Sequence, residues 1–210
     1  MIKKVLIFTY IILLIWLPCS FAFSNKKMGF SWKQGYRYDT RQDNHQLYTN
    51  HFSLVFNYLS EKNKPLLKLI PFFEIRRNID RELWERKELG MEIGKDILPW
   101  LYVGEAIQKG WMKENYRYCA DYEKRDYTES ETRLLFNHNL LSNKYIKLKG
   151  FVLNEYTYDF DKGQATRNEL IAGFIIPLGK YIETDISWRH IDRIHTYDSD
   201  TIEASVTLVF

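Results

Sequence analysis

The sequence is poor in cysteine, proline and glycine, with 2, 5 and 10 of these among 210 residues. Two cysteines cannot form the disulfide framework of a small secreted scaffold. Basic and acidic residues nearly cancel, at 30 against 27, so the chain lacks the basic excess of a nucleic-acid-binding protein. A mean hydropathy of −0.40 excludes a bundle of membrane helices, but it does not exclude strands that are apolar on one face only. The 45% of apolar residues excludes a disordered chain.

The N-terminus has the layout of an export signal. Two lysines precede an uncharged run over residues 5–17, and small residues then stand at Ser20 and Ala22. This order of a positive, an apolar and a small-residue region is typical of a secretory signal peptide. We therefore predict a cleaved signal peptide over residues 1–22 and a single domain over residues 23–210.

The rest of the chain alternates apolar with polar residues, which indicates strands that have one apolar face. In the last segment, Ile202, Val206 and Leu208 share one face. Pro71 falls inside the third strand and predicts a bulge there, because proline offers no donor to the ladder. We predict ten strands, at residues 28–38, 46–58, 65–77, 83–95, 99–112, 131–141, 144–158, 165–177, 180–191 and 201–210.

The connections between these strands alternate between short turns and longer polar loops, the longest of which covers residues 113–130 and contains Cys119. Outer-membrane barrels have short turns at the periplasmic rim and longer loops at the other rim. The predicted fold is therefore all-β, a closed antiparallel up-and-down transmembrane barrel of about ten strands, with eight or twelve as alternatives.

Aromatic residues cluster at the two ends of the predicted strands and become rarer in the middle. Amphipathic rings settle at the level of the lipid headgroups, so two such belts bracket an apolar band. We predict the following residues at the membrane interfaces: Tyr58, Trp84, Trp100, Tyr102, Trp111, Tyr145, Tyr156, Tyr181, Trp188 and Phe210.

The signal peptide, the ten alternating strands and the C-terminal residues 205–210, which end in Phe210, together resemble the bacterial outer-membrane β-barrel class. More loosely, the chain is similar to small uncharacterised outer-membrane barrels catalogued as a domain of unknown function. The resemblance implies residence in the outer membrane, contact with the lipid bilayer, and insertion by the barrel-assembly machinery, which recognises such a last strand.

Charged residues at period two along the strands are expected to face the barrel axis, because the outer face meets hydrocarbon. Bases and acids are nearly balanced in this set, and a ten-stranded barrel is little wider than barrels whose side chains fill the interior. We therefore expect a mostly plugged lumen. The predicted inward residues are Lys33, Arg37, Lys68, Arg76, Arg86, Lys109, Arg133, Lys147, Lys149, Arg167, Arg189, Glu74, Glu88, Glu92, Glu105, Glu155, Glu169, Glu183, Asp185 and Glu203.

The sequence contains few signs of catalysis. His51 and Ser53 share one strand face, as in the His-x-Ser pair of outer-membrane phospholipases, but the alternation directs both away from lipid. The histidines lack metal-ligand spacing, and we expect no metal, no cofactor and no nucleic-acid partner.

The prediction is a non-enzymatic integral outer-membrane barrel, either structural or a narrow, porin-like conduit for a small solute that the sequence does not specify. One alternative is a lipid enzyme of the phospholipase or acyltransferase type that uses His51 and Ser53. The other is a soluble secreted barrel that binds an apolar ligand, with the two faces inverted.

Overall fold

A computed structural model describes residues 26–40, 46–59, 65–79, 83–114, 123–143, 147–194 and 198–210. The predicted signal peptide, Cys119 and Tyr145 lie outside these residues. The described part of the chain contains no helix that is long and apolar enough to cross a membrane.

The described residues form ten antiparallel strands, which confirms the predicted number and order. Their bounds are β1 Lys26–Asp39, β2 Gln46–Leu59, β3 Pro65–Asn78, β4 Leu83–Leu98, β5 Leu101–Glu114, β6 Glu123–Ser142, β7 Lys147–Asp159, β8 Gln164–Pro177, β9 Ile182–Arg193 and β10 Ser199–Val209.

The sheet closes because the first strand pairs with the last one. The register runs from Ser31 opposite Val209 to Asp39 opposite Thr201. At the end of this seam, the Phe30 amide donates to the Phe210 carbonyl at 2.9 Å, and the Phe210 amide donates back at 2.8 Å. Closure gives every strand a neighbour on both sides, so the barrel has no open edge. The predicted closed barrel is therefore confirmed.

The two faces of the wall differ in chemistry. On the outer face, aliphatic and aromatic side chains are exposed, such as Ile186 at 54%, Phe174 at 48% and Val206 at 45%. On the inner face, polar and charged residues are buried, among them Arg37 and Glu169. The buried polar residues thus line the lumen, and the apolar surface points outward.

Glycines on the inner face of β4 and β5 make room for aromatic rings. A Cβ added to Gly110 would overlap the ring of Tyr127. A Cβ added to Gly90 would overlap the Phe72 ring and come within 3.0 Å of the Gln108 Cβ. These rings occupy the space above the two glycines, from which larger residues would exclude them.

Two sequence predictions about the strands are wrong. The stretch 113–130 is not one long loop, because β6 begins at Glu123 and Tyr127 is only 2% exposed. Pro71 carries no bulge: it stands in register opposite Met91, and the register shift between β3 and β4 falls between Arg76 and Arg77. The ladder with β2 is interrupted locally at Pro71, which has no donor, and it resumes in the same register from Ser53 opposite Phe72 to Phe56 opposite Leu69.

Candidate functional site

The candidate site is the lumen, where charged side chains from neighbouring strands and from strands two apart form ion pairs. The structure places these predicted residues on the inner face: Lys33, Arg37, Lys68, Glu74, Arg76, Arg86, Glu88, Glu92, Arg133, Glu155, Arg167, Glu169, Asp185, Arg189 and Glu203. Lys147 is exposed at the short-turn rim, and Lys149 pairs there with Glu183 at 3.7 Å.

Arg189 on β9 connects three other strands. Its guanidinium lies 2.8 Å from Glu203 on β10 and 3.3 Å from Glu155 on β7, and it also contacts Glu169 on β8. Glu203 in turn contacts Arg37 on β1. A planar fork with five donors suits this role, because it can satisfy several carboxylates at once.

Arg133 on β6 is a second point of convergence. It lies 3.0 Å from Glu155 and 3.4 Å from Glu131, and it reaches across β5 to contact Glu92 on β4. The hydroxyl of Tyr102 on β5 donates to the same Glu92 carboxylate. Arg133 and Arg189 therefore share Glu155, and this carboxylate joins the two clusters.

Near the long-loop end, Glu129 on β6 links two further arginines, Arg86 at 3.2 Å and Arg167 at 3.6 Å. Arg86 also contacts Glu88, and Glu88 accepts a hydrogen bond of 2.8 Å from the Tyr127 hydroxyl.

Within the described residues, these contacts form one continuous network of five arginines and seven glutamates. It follows the inner wall from β1 through β10, β9, β8, β7 and β6 to β4. Its members are Arg37, Arg86, Arg133, Arg167, Arg189, Glu88, Glu92, Glu129, Glu131, Glu155, Glu169 and Glu203.

Smaller pairs lie beside this network. Lys33 on β1 reaches over β10 to Asp185 on β9 at 3.0 Å. A cavity of about 250 Å³ remains between these groups, lined among others by Lys33, Arg133, Glu155 and Leu153. At about 30 Å³ per water molecule, such a space holds several waters or one small solute.

Tyr127 and Glu129 were missed from the sequence, because they fall in the stretch 113–130 that was predicted to be a loop, and Glu131, the first residue of the predicted strand, was not assigned to the lumen. Their period-two spacing with Arg133 was the signal that could have found them, since all four side chains point to one face of β6.

The strand β5 is inverted relative to the prediction. Ala106 and Gln108 are buried inside, so residues of the other parity point outward. Glu105 and Lys109, which were expected in the lumen, therefore lie on the outer face. Tyr102, expected at a membrane interface, lies in the lumen instead and is 8% exposed. The inner face of β5 is filled by small residues and aromatic rings. Because the charged residues Glu105 and Lys109 lie on the other face, charge could not indicate which face of β5 points inward.

The other predicted interface aromatics of the described residues lie on the outer wall. Those at the short-turn end are Tyr58, Trp100, Tyr181 and Phe210, and those towards the long-loop end are Trp84, Trp111, Tyr156 and Trp188.

His51 and Ser53 lie on the inner face of β2. The Nδ1 atom of His51 is 3.2 Å from Glu74 Oε2, so the ring does have a carboxylate to orient it, which the sequence had not identified. Glu74 is also held by Arg76 at 2.9 Å, and the Ser53 hydroxyl shares a hydrogen bond of 2.8 Å with Ser31. Both side chains face the lumen and not the outer wall. Among the described residues, no group of three or more His, Cys, Asp or Glu side chains could hold a metal ion.

Solved structures with a similar fold are bacterial outer-membrane proteins. KdgM porin, in complex with disordered oligogalacturonate, is 10% identical with a TM-score of 0.44, over 87% of this chain and 99% of that chain. NanC porin is 10% identical with a TM-score of 0.41, over 85% and 98% of the two chains. The translocator domain of autotransporter NalP from Neisseria meningitidis is 10% identical with a TM-score of 0.45, over 98% and 96%. Comparison with protein-family models and with curated proteins gave no match.

Proposed function

We propose that this chain is an integral outer-membrane β-barrel without enzymatic activity, whose lumen is closed by its ion-pair network to all but a narrow path. Its role is structural or that of a conduit for a small solute. The observation that carries this proposal is the arrangement of the two faces, with exposed apolar residues outside and twelve linked charges inside.

The outer wall supports the membrane location. Hydrocarbon offers no water to unpaired backbone groups, so a sheet is stable there only when it closes on itself, as this one does. Exposed aromatic rings at both ends of the strands bracket the aliphatic middle of the wall. Insertion by the barrel-assembly machinery is part of the proposal, because β10, with its alternating apolar residues, closes the sheet against β1.

The inner face supports a closed lumen. Arg133 joins β6 to β4, and Arg189 joins β9 to β7, so both bridges cross over an intervening strand. These side chains project inward from the wall, and a cavity of about 250 Å³ remains between them. A wide aqueous channel such as that of a larger porin would need these groups to lie flat against the wall.

The two alternatives fit less well. A soluble barrel for an apolar ligand requires apolar residues inside, whereas the lumen of this barrel is charged. A lipid enzyme gains some support from the contact between Glu74 and His51, but the pair faces the lumen and Ser53 is bonded to Ser31.

Single-channel recording of the refolded protein in planar bilayers tests the proposal. We expect the wild type to give no resolvable conductance steps, in contrast to the water-filled channel of a porin. The double variant Arg133→Ala/Arg189→Ala shortens both bridges and should give measurable steps. Lys149→Ala, at the exposed rim, is the matched control and should stay silent. Large steps from the wild-type protein would contradict a closed lumen.

A further inference from the structure

A polar strip interrupts the apolar outer wall where β5 meets β6. On β6, the buried residues Tyr127, Glu129 and Glu131 point inward, so the residues between them point outward. The register aligns these outward residues with those of β5 in successive pairs. The β5–β6 strip consists of Glu105 opposite Thr132, Ile107 opposite Ser130, and Lys109 opposite Thr128.

The strip reaches the middle of the wall. Glu105 is exposed and stands midway along β5 between the two exposed rings of Trp100 and Trp111, which mark the ends of the apolar band. The Thr132 hydroxyl donates a hydrogen bond of 2.6 Å to the Glu105 carboxylate. An ionised carboxylate can accept about four hydrogen bonds, so one hydroxyl leaves most of its capacity open.

Contact with lipid is unfavourable for an ionised carboxylate such as that of Glu105. A charge on the lipid-facing side of a barrel is most unfavourable near mid-depth, because acyl chains offer no hydrogen-bond donor there. Lipid headgroups, which do offer donors, lie at the ends of the wall. Another protein surface at the same depth is the neighbour that can supply them.

We propose that the β5–β6 strip is the interface through which two copies of this chain associate in the membrane. The inference rests on the proposed membrane location. A two-fold axis along the membrane normal brings equal depths of the two walls together, so that Glu105 of one copy meets hydroxyls of the other. Thr128, Ser130 and Thr132 can each donate and accept, which makes this surface complementary to itself.

Cysteine cross-linking tests the proposal in a Cys119→Ser background, after refolding into phosphatidylcholine vesicles. Thr132→Cys lies close to the proposed axis, whereas Val206→Cys lies on the outer face of β10 and is the matched control. Under oxidation by copper-phenanthroline we expect at least a ten-fold higher yield of cross-linked dimer from Thr132→Cys. Equal yields from the two positions, or none from Thr132→Cys, would overturn the proposal.

Glu105→Leu provides an independent measurement, with Val103→Leu on the same outer face as its control. We expect Glu105→Leu to weaken dimerisation in the vesicles at least ten-fold and Val103→Leu to leave it unchanged. If the strip faces lipid, Glu105→Leu will instead leave association unchanged and raise the denaturant midpoint of the barrel.

Tryptophan quenching in the same vesicles distinguishes a wrong interface from a wrong membrane location. If tryptophan fluorescence is protected from an aqueous quencher and no dimer forms, only the interface is refuted. If the tryptophans are fully quenched, the chain does not reside in the membrane, and both proposals are refuted.

Discussion

Replacing Arg133 by methionine removes the charge that joins β4 and β7 to β6 in the network, while keeping a side chain of similar length. Arg133 serves the carboxylates of Glu92, Glu131 and Glu155. After its loss, Glu155 retains Arg189 at 3.3 Å and Glu92 retains the hydroxyl of Tyr102. Glu131 loses the ion pair that joined it to the network. The variant therefore leaves one carboxylate largely uncompensated in the interior.

Removing one partner of a buried pair costs about 3–5 kcal/mol of the free energy of unfolding. The Arg133 side chain is 21% exposed, so water in the lumen compensates in part, and we expect a loss of about 3 kcal/mol. Lys149→Met is the control. Its pair with Glu183 spans 3.7 Å, and both side chains are more than a third exposed, so we expect a loss of less than about 1 kcal/mol.

Equilibrium unfolding in urea, followed by tryptophan fluorescence in phospholipid vesicles, measures both losses. The double variant Arg133→Met/Glu131→Gln should recover part of the lost stability, because it neutralises the carboxylate that the first substitution leaves unpaired. If Arg133→Met and Lys149→Met lower stability equally, the lumen is well hydrated and the reasoning about a buried network is refuted.

Three further outcomes follow from the structure. Gly110→Ala should lower the free energy of unfolding by about 1–3 kcal/mol, because its Cβ would overlap the Tyr127 ring. The same change at Gly35, where the nearest heavy atom is 3.6 Å away, should alter it by less than about 1 kcal/mol, and equal effects would disprove the ring placement. Trp188, exposed on the outer wall, should be quenched by brominated lipids but not by iodide, whereas full access to iodide would place it in water. His51→Ala should leave fatty-acid release from phospholipid vesicles at the wild-type level, and a loss of measurable release would favour the lipid enzyme.

The strand pattern could be predicted wherever one face of a strand is apolar. The predicted β9 and β10 agree with the structure within about two residues, because aliphatic residues such as Ile186 and Val206 alternate there with polar ones. The start of β6 could not be predicted in this way. Its inward Glu129 and Glu131 alternate with the outward Ser130 and other hydroxyl residues, so both faces are polar and the alternation disappears.

The orientation of β5 could not be predicted from the sequence, for a related reason. A shift of one residue exchanges the two faces of a strand, and charge is the usual guide to which face is inside. On β5 the positions of the charged residues are misleading, because Glu105 and Lys109 lie on the outer face while Ala106 and Gly110 lie on the inner face. Only the packing of the neighbouring rings against the small residues fixes the orientation.

The sequence by itself determined the number of strands, their order along the chain and most of the residues that face inward, because these depend on local alternation. The tertiary structure decided which charges meet. Glu155 joins Arg133 to Arg189 only because β6 and β9 lie on either side of β7 and β8 in a closed and staggered sheet. That stagger is a property of the whole barrel, and no single strand encodes it.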